Sequence, residues 1–119
     1  PWLPVASEHL AMSAKTQEDE PGALLHHYRR AIAFRQAHVA LAIGSHDKIQ
    51  AVGDIVYFTR SHGAEVIVCV FNISETPSDF DLPAGQWSPI GEELGGAHLS
   101  ADGLLRLGPW QVFLARKSA

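Results

Sequence analysis

A chain of 119 residues, 46% hydrophobic and 18% charged, has the size and composition of one globular domain. Nine Lys and Arg against thirteen Asp and Glu give a formal charge of −4 without any basic run, which makes nucleic acid and anionic membrane poor partners. No apolar stretch approaches the roughly 20 residues of a bilayer span, no signal segment opens the sequence, the single Cys69 allows no internal disulfide, and the chain is too short for a (β/α)8 barrel, which takes about 250 residues.

In chain order, residues 1–21 read as an irregular arm. Pro1 and Pro4 fix φ and remove donors, and Trp2, Leu3, Val5, Leu10 and Met12 follow neither a strand nor a helix period. An arm of this length points to a piece of a longer chain. Acidic Glu18, Asp19 and Glu20 ahead of Pro21 suit the positive end of a helix dipole. The period then predicts one helix from about Pro21 to about Ala42, stopped at Gly44. Leu24, Leu25, Tyr28, Ala31, Ile32, Arg35 and Val39 fall on one stripe, and Phe34 and Leu41 on another side, so the helix needs two neighbours.

From Ser45 onward turn signals recur every several residues. Asp54 to Ser61 and Glu65 to Ile73 are the strongest strands, joined by a Ser61-His62-Gly63-Ala64 hairpin turn. Val66, Val68 and Val70 alternate with Ile67, Cys69 and Phe71, so both faces of the second strand are apolar and both need cover. Weaker strands fit Asp79 to Leu82, Gln86 to Ile90, Ala97 to Ser100, Leu104 to Leu107 after the Asp102-Gly103 turn, and Trp110 to Lys117. The fold class expected is mainly β, an antiparallel β-sandwich with one lead-in helix.

Chemistry is sparse in this pattern. His9, His26, His27, His38, His46, His62 and His98 form no ligand pair at zinc spacing. Cys69 lies mid-strand among aliphatics and reads as a small buried hydrophobe. Asn72-Ile73-Ser74 fits a glycosylation triplet, and Ser45-His46-Asp47 after the helix reads as a turn. The glycines make no phosphate-binding pattern, and no two carboxylates stand out as an acid/base pair. Trp2, Trp87 and Trp110 could stack on sugars if exposed; otherwise they pack. That would make the chain an independent carbohydrate-binding or interaction module.

The order of several short motifs carries a resemblance. Pro1-Trp2-Leu3-Pro4-Val5, Gln17-Glu18-Asp19, Leu24-Leu25, Tyr28-Arg29-Arg30 and Arg35, followed by Tyr57-Phe58-Thr59-Arg60, Val68 to Ser74 and Pro109 to Leu114, resemble the C-terminal region of bacterial α-glucosidases. These are the maltase and oligo-1,6-glucosidase group of glycoside hydrolase family 13, in the α-amylase superfamily. Pro21-Gly22 and Val39 depart from the group's pattern at the helix start and end.

The resemblance implies a fragment. Residues 1–44 would be the terminal arm and last helix of the catalytic barrel, and 45–119 the C-terminal antiparallel β-sandwich domain. The parent would be a retaining α-glucosidase with an Asp nucleophile and a Glu acid/base on earlier barrel strands. No residue of this chain takes a catalytic, cofactor or metal role, and the lone chain is expected to be inactive. Its partners would be the catalytic barrel of its own parent and the α-glucoside that the parent binds. Nucleic acid and membrane are not expected as partners, the localisation expected is cytoplasmic, and the lone stripe is expected to stay exposed and drive self-association, or to be covered by another chain or by the arm folding back through Trp2, Leu3 and Val5. Sucrose isomerases share this layout.

Overall fold

The computed structural model describes residues 2–118. The chain forms two compact units, Pro1–Phe34 and Arg35–Ala119. In the first, Ser7–Met12 form a 3-10 helix and Ala14–Glu18 a short α-helix, α1. The arm is therefore partly helical, where its lack of period suggests none. Ser13 explains the difference: its hydroxyl accepts the Thr16 N–H (3.3 Å) and caps α1. Gln17 then ties α1 to the next helix, α2 (Leu24–Ala37). Its amide donates to the Met12 carbonyl (2.7 Å) and its oxygen accepts the Leu25 N–H (2.9 Å). Arg29 grips Glu18 through two bonds (3.0 and 3.1 Å). These ties are polar. Trp2, Leu3, Val5, Leu10 and Met12 all remain exposed, as do Leu24, Tyr28 and Ile32 on α2.

The expected single helix to Ala42 is in fact two. His38 is extended (φ −118°, ψ 106°) and a separate α3, Val39–Ile43, follows. The break has a tertiary cause, since Glu65 Oε2 accepts the Ala40 N–H (2.8 Å) and gives α3 its own N-terminal acceptor. Arg35 bridges the break by donating to the Ala42 carbonyl (2.8 Å). Gly44 ends α3 with an extended backbone, so close approach and not a left-handed turn requires glycine here. A Cβ at Gly44 would collide with the carbonyls of Ala40 and Ser61.

Among the described residues the second unit carries eight strands: β1 (Ser45–Val52), β2 (Ile55–His62), β3 (Glu65–Asn72), β4 (Ser78–Asp81), β5 (Trp87–Ile90), β6 (His98–Leu99), β7 (Leu104–Leu107) and β8 (Val112–Lys117). A short helix α4, Glu92–Gly95, sits between β5 and β6. One sheet has the order β1-β2-β3-β8-β5 and the other β4-β7-β6. The strand ladders among the described residues are antiparallel, and an isolated parallel bridge joins Gly96 to Val112. Ile55, Val68, Val70, Phe113 and Ala115 of the large sheet meet Phe80, Leu105 and Leu107 of the small one in one core, which makes the unit a sandwich.

On the opposite face of the large sheet, Ile67 and Cys69 bury against Ala40 of α3, with Leu41, Phe58, Phe71, Ile90 and Leu114 packed around them. Strand β3 is thus covered on both faces, as its double apolar alternation predicts. The β2–β3 hairpin closes through Gly63 (φ +57°), the left-handed backbone that a two-residue loop demands. β1 does not show in the alternation of residues, and Ser45-His46-Asp47 lies in it and not in a turn. It is an edge strand, exposed throughout, with a bulge at Lys48 (φ +53°). Its polar start and interrupted register hide any alternation.

Candidate functional site

The start of β1 pairs with the end of β2 and gathers the polar side chains with the most chemistry in the second unit. Ser45 and Ser61 both donate hydroxyl protons to Asp47 Oδ2 (3.0 and 2.5 Å). These bonds, from Ser61 above all, hold the Asp47 carboxyl below the usual carboxylate range. His46 points elsewhere. Arg60 Nη1 lies 3.0 Å from His46 Nε2. Arginine has no acceptor, so Nε2 accepts and the imidazole proton sits on Nδ1. Arg60 also donates to the Gly44 carbonyl (2.7 Å), while its buried Nε has no partner among the described residues. His46 thus orients an arginine and leaves the serine hydroxyls to a carboxylate. This geometry holds the passage from the end of α3 into β1 and assembles no nucleophile–base pair among the described residues.

Cys69 lies in the apolar layer under α3, and burial pushes its thiol up to about 12 while the Arg60 charge pulls weakly the other way. It is a protonated packing group. No set of three His, Cys, Asp or Glu side chains among the described residues could hold a metal ion.

Asn72 is only 2% exposed, so the glycosylation triplet is a structural lock in the folded chain. Its Nδ2 donates to the Thr76 and Gly108 carbonyls (2.7 and 2.9 Å), and its Oδ1 accepts from the Ser74 N–H and hydroxyl (3.1 and 2.9 Å). The full capacity of the amide is used. Gln111 completes the lock. Its side chain accepts the Gly108 N–H (2.7 Å), its carbonyl accepts the Asn72 N–H (3.0 Å), and the Trp110 N–H donates to Ser74 O (3.1 Å). Residue numbers alone conceal this site, because its partners lie up to 39 positions apart.

At its tip stands Trp110 with φ +56° and 68% of its surface exposed. A left-handed backbone costs an L-residue roughly 1–2 kcal/mol, which the surrounding bonds must offset. Trp2 is exposed as well, whereas Trp87 is half-buried against the sandwich core and donates its indole N–H to the Pro83 carbonyl (2.7 Å). Of the candidate sugar-stacking rings, packing therefore claims Trp87. An open groove of about 310 Å³ runs along Val52, Tyr57, Asp79, Phe80, Asp81 and Pro83, but Asp79 is held by Arg106 (2.8 Å) and Tyr57 by Gln50.

No protein-family model matches the chain. A Rhizobium meliloti protein described as a probable α-glucosidase is 38% identical over 116 residues, covering 98% of this chain and 21% of that protein. This chain matches a segment of the bacterial α-glucosidases of glycoside hydrolase family 13. The oligo-1,6-glucosidase of Parageobacillus thermoglucosidasius is 30% identical over 84 residues, 70% of this chain and 15% of that enzyme.

Solved structures agree. An α-glucosyl transfer enzyme superposes with a TM-score of 0.87 at 31% identity, over 99% of this chain and 22% of that one. The isomaltulose synthase of Protaminobacter rubrum gives 0.77 at 26%, over 100% and 22%. The chain spans about a fifth or less of the length of the curated relatives it matches. No helix of the α-glucosidase-like segment is long and apolar enough to cross a membrane among the described residues.

Proposed function

We propose that the chain is the C-terminal region of a retaining α-glucosidase that releases glucose from α-linked oligosaccharides, and that its own role is structural. Residues 1–44 would complete the catalytic barrel, and 45–119 would be the β domain packed on it. The observation that carries this reading is a match over 98% of the chain to 21% of an α-glucosidase, at 38% identity. The exposed Leu24, Tyr28 and Ile32 support it, because a helix stripe of this kind gains about 25 cal/mol per Å² once a barrel covers it.

Retention needs two carboxyls about 5 Å apart flanking the scissile bond, and in this reading both come from upstream strands. The α-glucoside is then bound by the parent, in the cytoplasm, a setting in keeping with the free buried thiol of Cys69. A second reading, sucrose isomerisation or glucosyl transfer, draws on the solved structures, whose identities of 26 to 31% fall below the 38% to the α-glucosidase. A chromogenic α-glucoside tests the structural role. The chain alone is expected to give no turnover, and turnover that vanishes on replacing any of its Asp or Glu residues would overturn the reading.

A further inference from the structure

Trp110 is the residue that folding alone explains least. Glycine or asparagine would hold its backbone (φ +56°) at little cost, and a 68% exposed indole contributes little to the core. The segment around it is nevertheless pinned by Asn72 and Gln111, so the ring is presented from a fixed backbone. Its neighbours along the chain ends are polar. The Trp110 N–H bonds Ser74 O, and the Ile73 N–H bonds Asp54 O, so the 108–110, 73–76 and 53–54 segments meet at one end of the large sheet. Asp54 and Glu75, on two of these segments, carry carboxylates that no hydrogen bond or ion pair engages among the described residues.

We propose that Trp110 is the platform of a glucosyl-binding subsite on this end of the β domain. Its indole takes the C–H face of a glucose ring, and the Asp54 and Glu75 carboxylates accept hydrogen bonds from the ring hydroxyls. The choice of sugar rests on the α-glucosidase reading; the platform does not. A protein partner fits less well. A stable interface needs about 800 Å² a side, whereas the apolar exposure here is one indole with Ile73 and Val52 spaced among Asp54, Ser74 and Glu75. The free carboxylates disfavour phosphate or any other anion, while the hydroxyls of a neutral polyol can donate to them and its C–H face can lie on the indole. The subsite would keep an α-glucan near its enzyme without touching the reacting atoms.

The test is a titration of the ¹⁵N-labelled 119-residue chain with maltotriose, followed by NMR. The Trp110 indole signal and the Ile73 and Ser74 amides are expected to shift saturably, with the Trp2 and Trp87 indoles fixed. W110N, whose side chain tolerates the left-handed backbone, should weaken binding by about tenfold or more, and D54N with E75Q by a smaller factor. W110F keeps a ring and should retain part of the affinity, so a misfolded W110N does not decide the matter. No saturable shift in the native chain, equal shifts with tetramethylammonium chloride, or self-association that W110N abolishes would each overturn the subsite. A blank titration leaves the α-glucosidase reading standing, and loss of that reading leaves a positive titration intact.

Discussion

Strand β3 and helix α2 are both apolar on more than one side, and only one of them is satisfied within this chain. Val68 and Val70 bury in the sandwich core, and Ile67 and Cys69 under α3. On α2, Leu24, Tyr28 and Ile32 stay exposed, and the arm that could have covered them exposes its own apolar residues. Hydrophobic period states that a face must be covered. It does not state whether the cover belongs to the same 119 residues. A strand covered within this chain and a helix left uncovered are what the proposed reading, a β domain with the last helix of a barrel, expects.

The sharpest contrast comes from truncating one side chain in each region. Ile67→Ala and Leu105→Ala should each destabilise the second unit by about 2–5 kcal/mol, because both sites are fully enclosed and leave cavities. Urea midpoints measure this; a loss under about 1 kcal/mol would mean that the covered faces are loosely packed. Gly44→Ala should come next, at about 1–3 kcal/mol, since the added Cβ meets two backbone carbonyls that cannot turn aside. An unchanged midpoint there would refute the close seating of α3 on the sheet.

Cys69 reports the same enclosure through pH. Its folded thiol is pushed up to about 12 from an ordinary 9.0. Between these values the folded chain keeps a proton that the unfolded chain has released. Its contribution is therefore complete below pH 9 and is lost as pH rises toward 12, by up to about 1.4 kcal/mol per pH unit. The difference in urea midpoint between the native chain and Cys69→Ala should narrow over that window; a constant difference contradicts a sealed layer. Ile32→Ala should move stability of the lone chain least, by about 0.5 kcal/mol or less. Yet Leu24→Ser with Ile32→Ser should reduce light scattering and binding of a hydrophobic dye. Unchanged scattering would mean that the stripe is not what makes the chain associate.

The legible parts of the fold are those where two independent signals coincide. The β2–β3 hairpin shows alternation on both flanks and Gly63 in the loop, and β7 follows an Asp102-Gly103 turn with Gly103 at φ +85°. What stayed hidden depends on partners distant in sequence. The break at His38 carries neither Pro nor Gly, and its cause, Glu65 on Ala40 N–H, lies 25 residues away. β1 opens with Ser45, His46, Asp47 and Lys48, so an edge strand reads as a turn. α1 and the 3-10 turn before it are too short to show a period. The Asn72 lock is disguised by its own triplet, whose glycosylation reading fails on burial. Trp110 is visible in the sequence as one tryptophan of three, but only the backbone singles it out.

The central claim, that α2 is built for a barrel supplied by the same polypeptide, is tested most directly by sequencing the coding DNA upstream of the Pro1 codon. The account predicts an open reading frame continuous with this chain, long enough for a (β/α)8 barrel of about 250 residues or more and carrying the Asp and Glu pair of a retaining glycosidase. A start codon directly preceding Pro1, or an upstream frame without such a barrel, would contradict it.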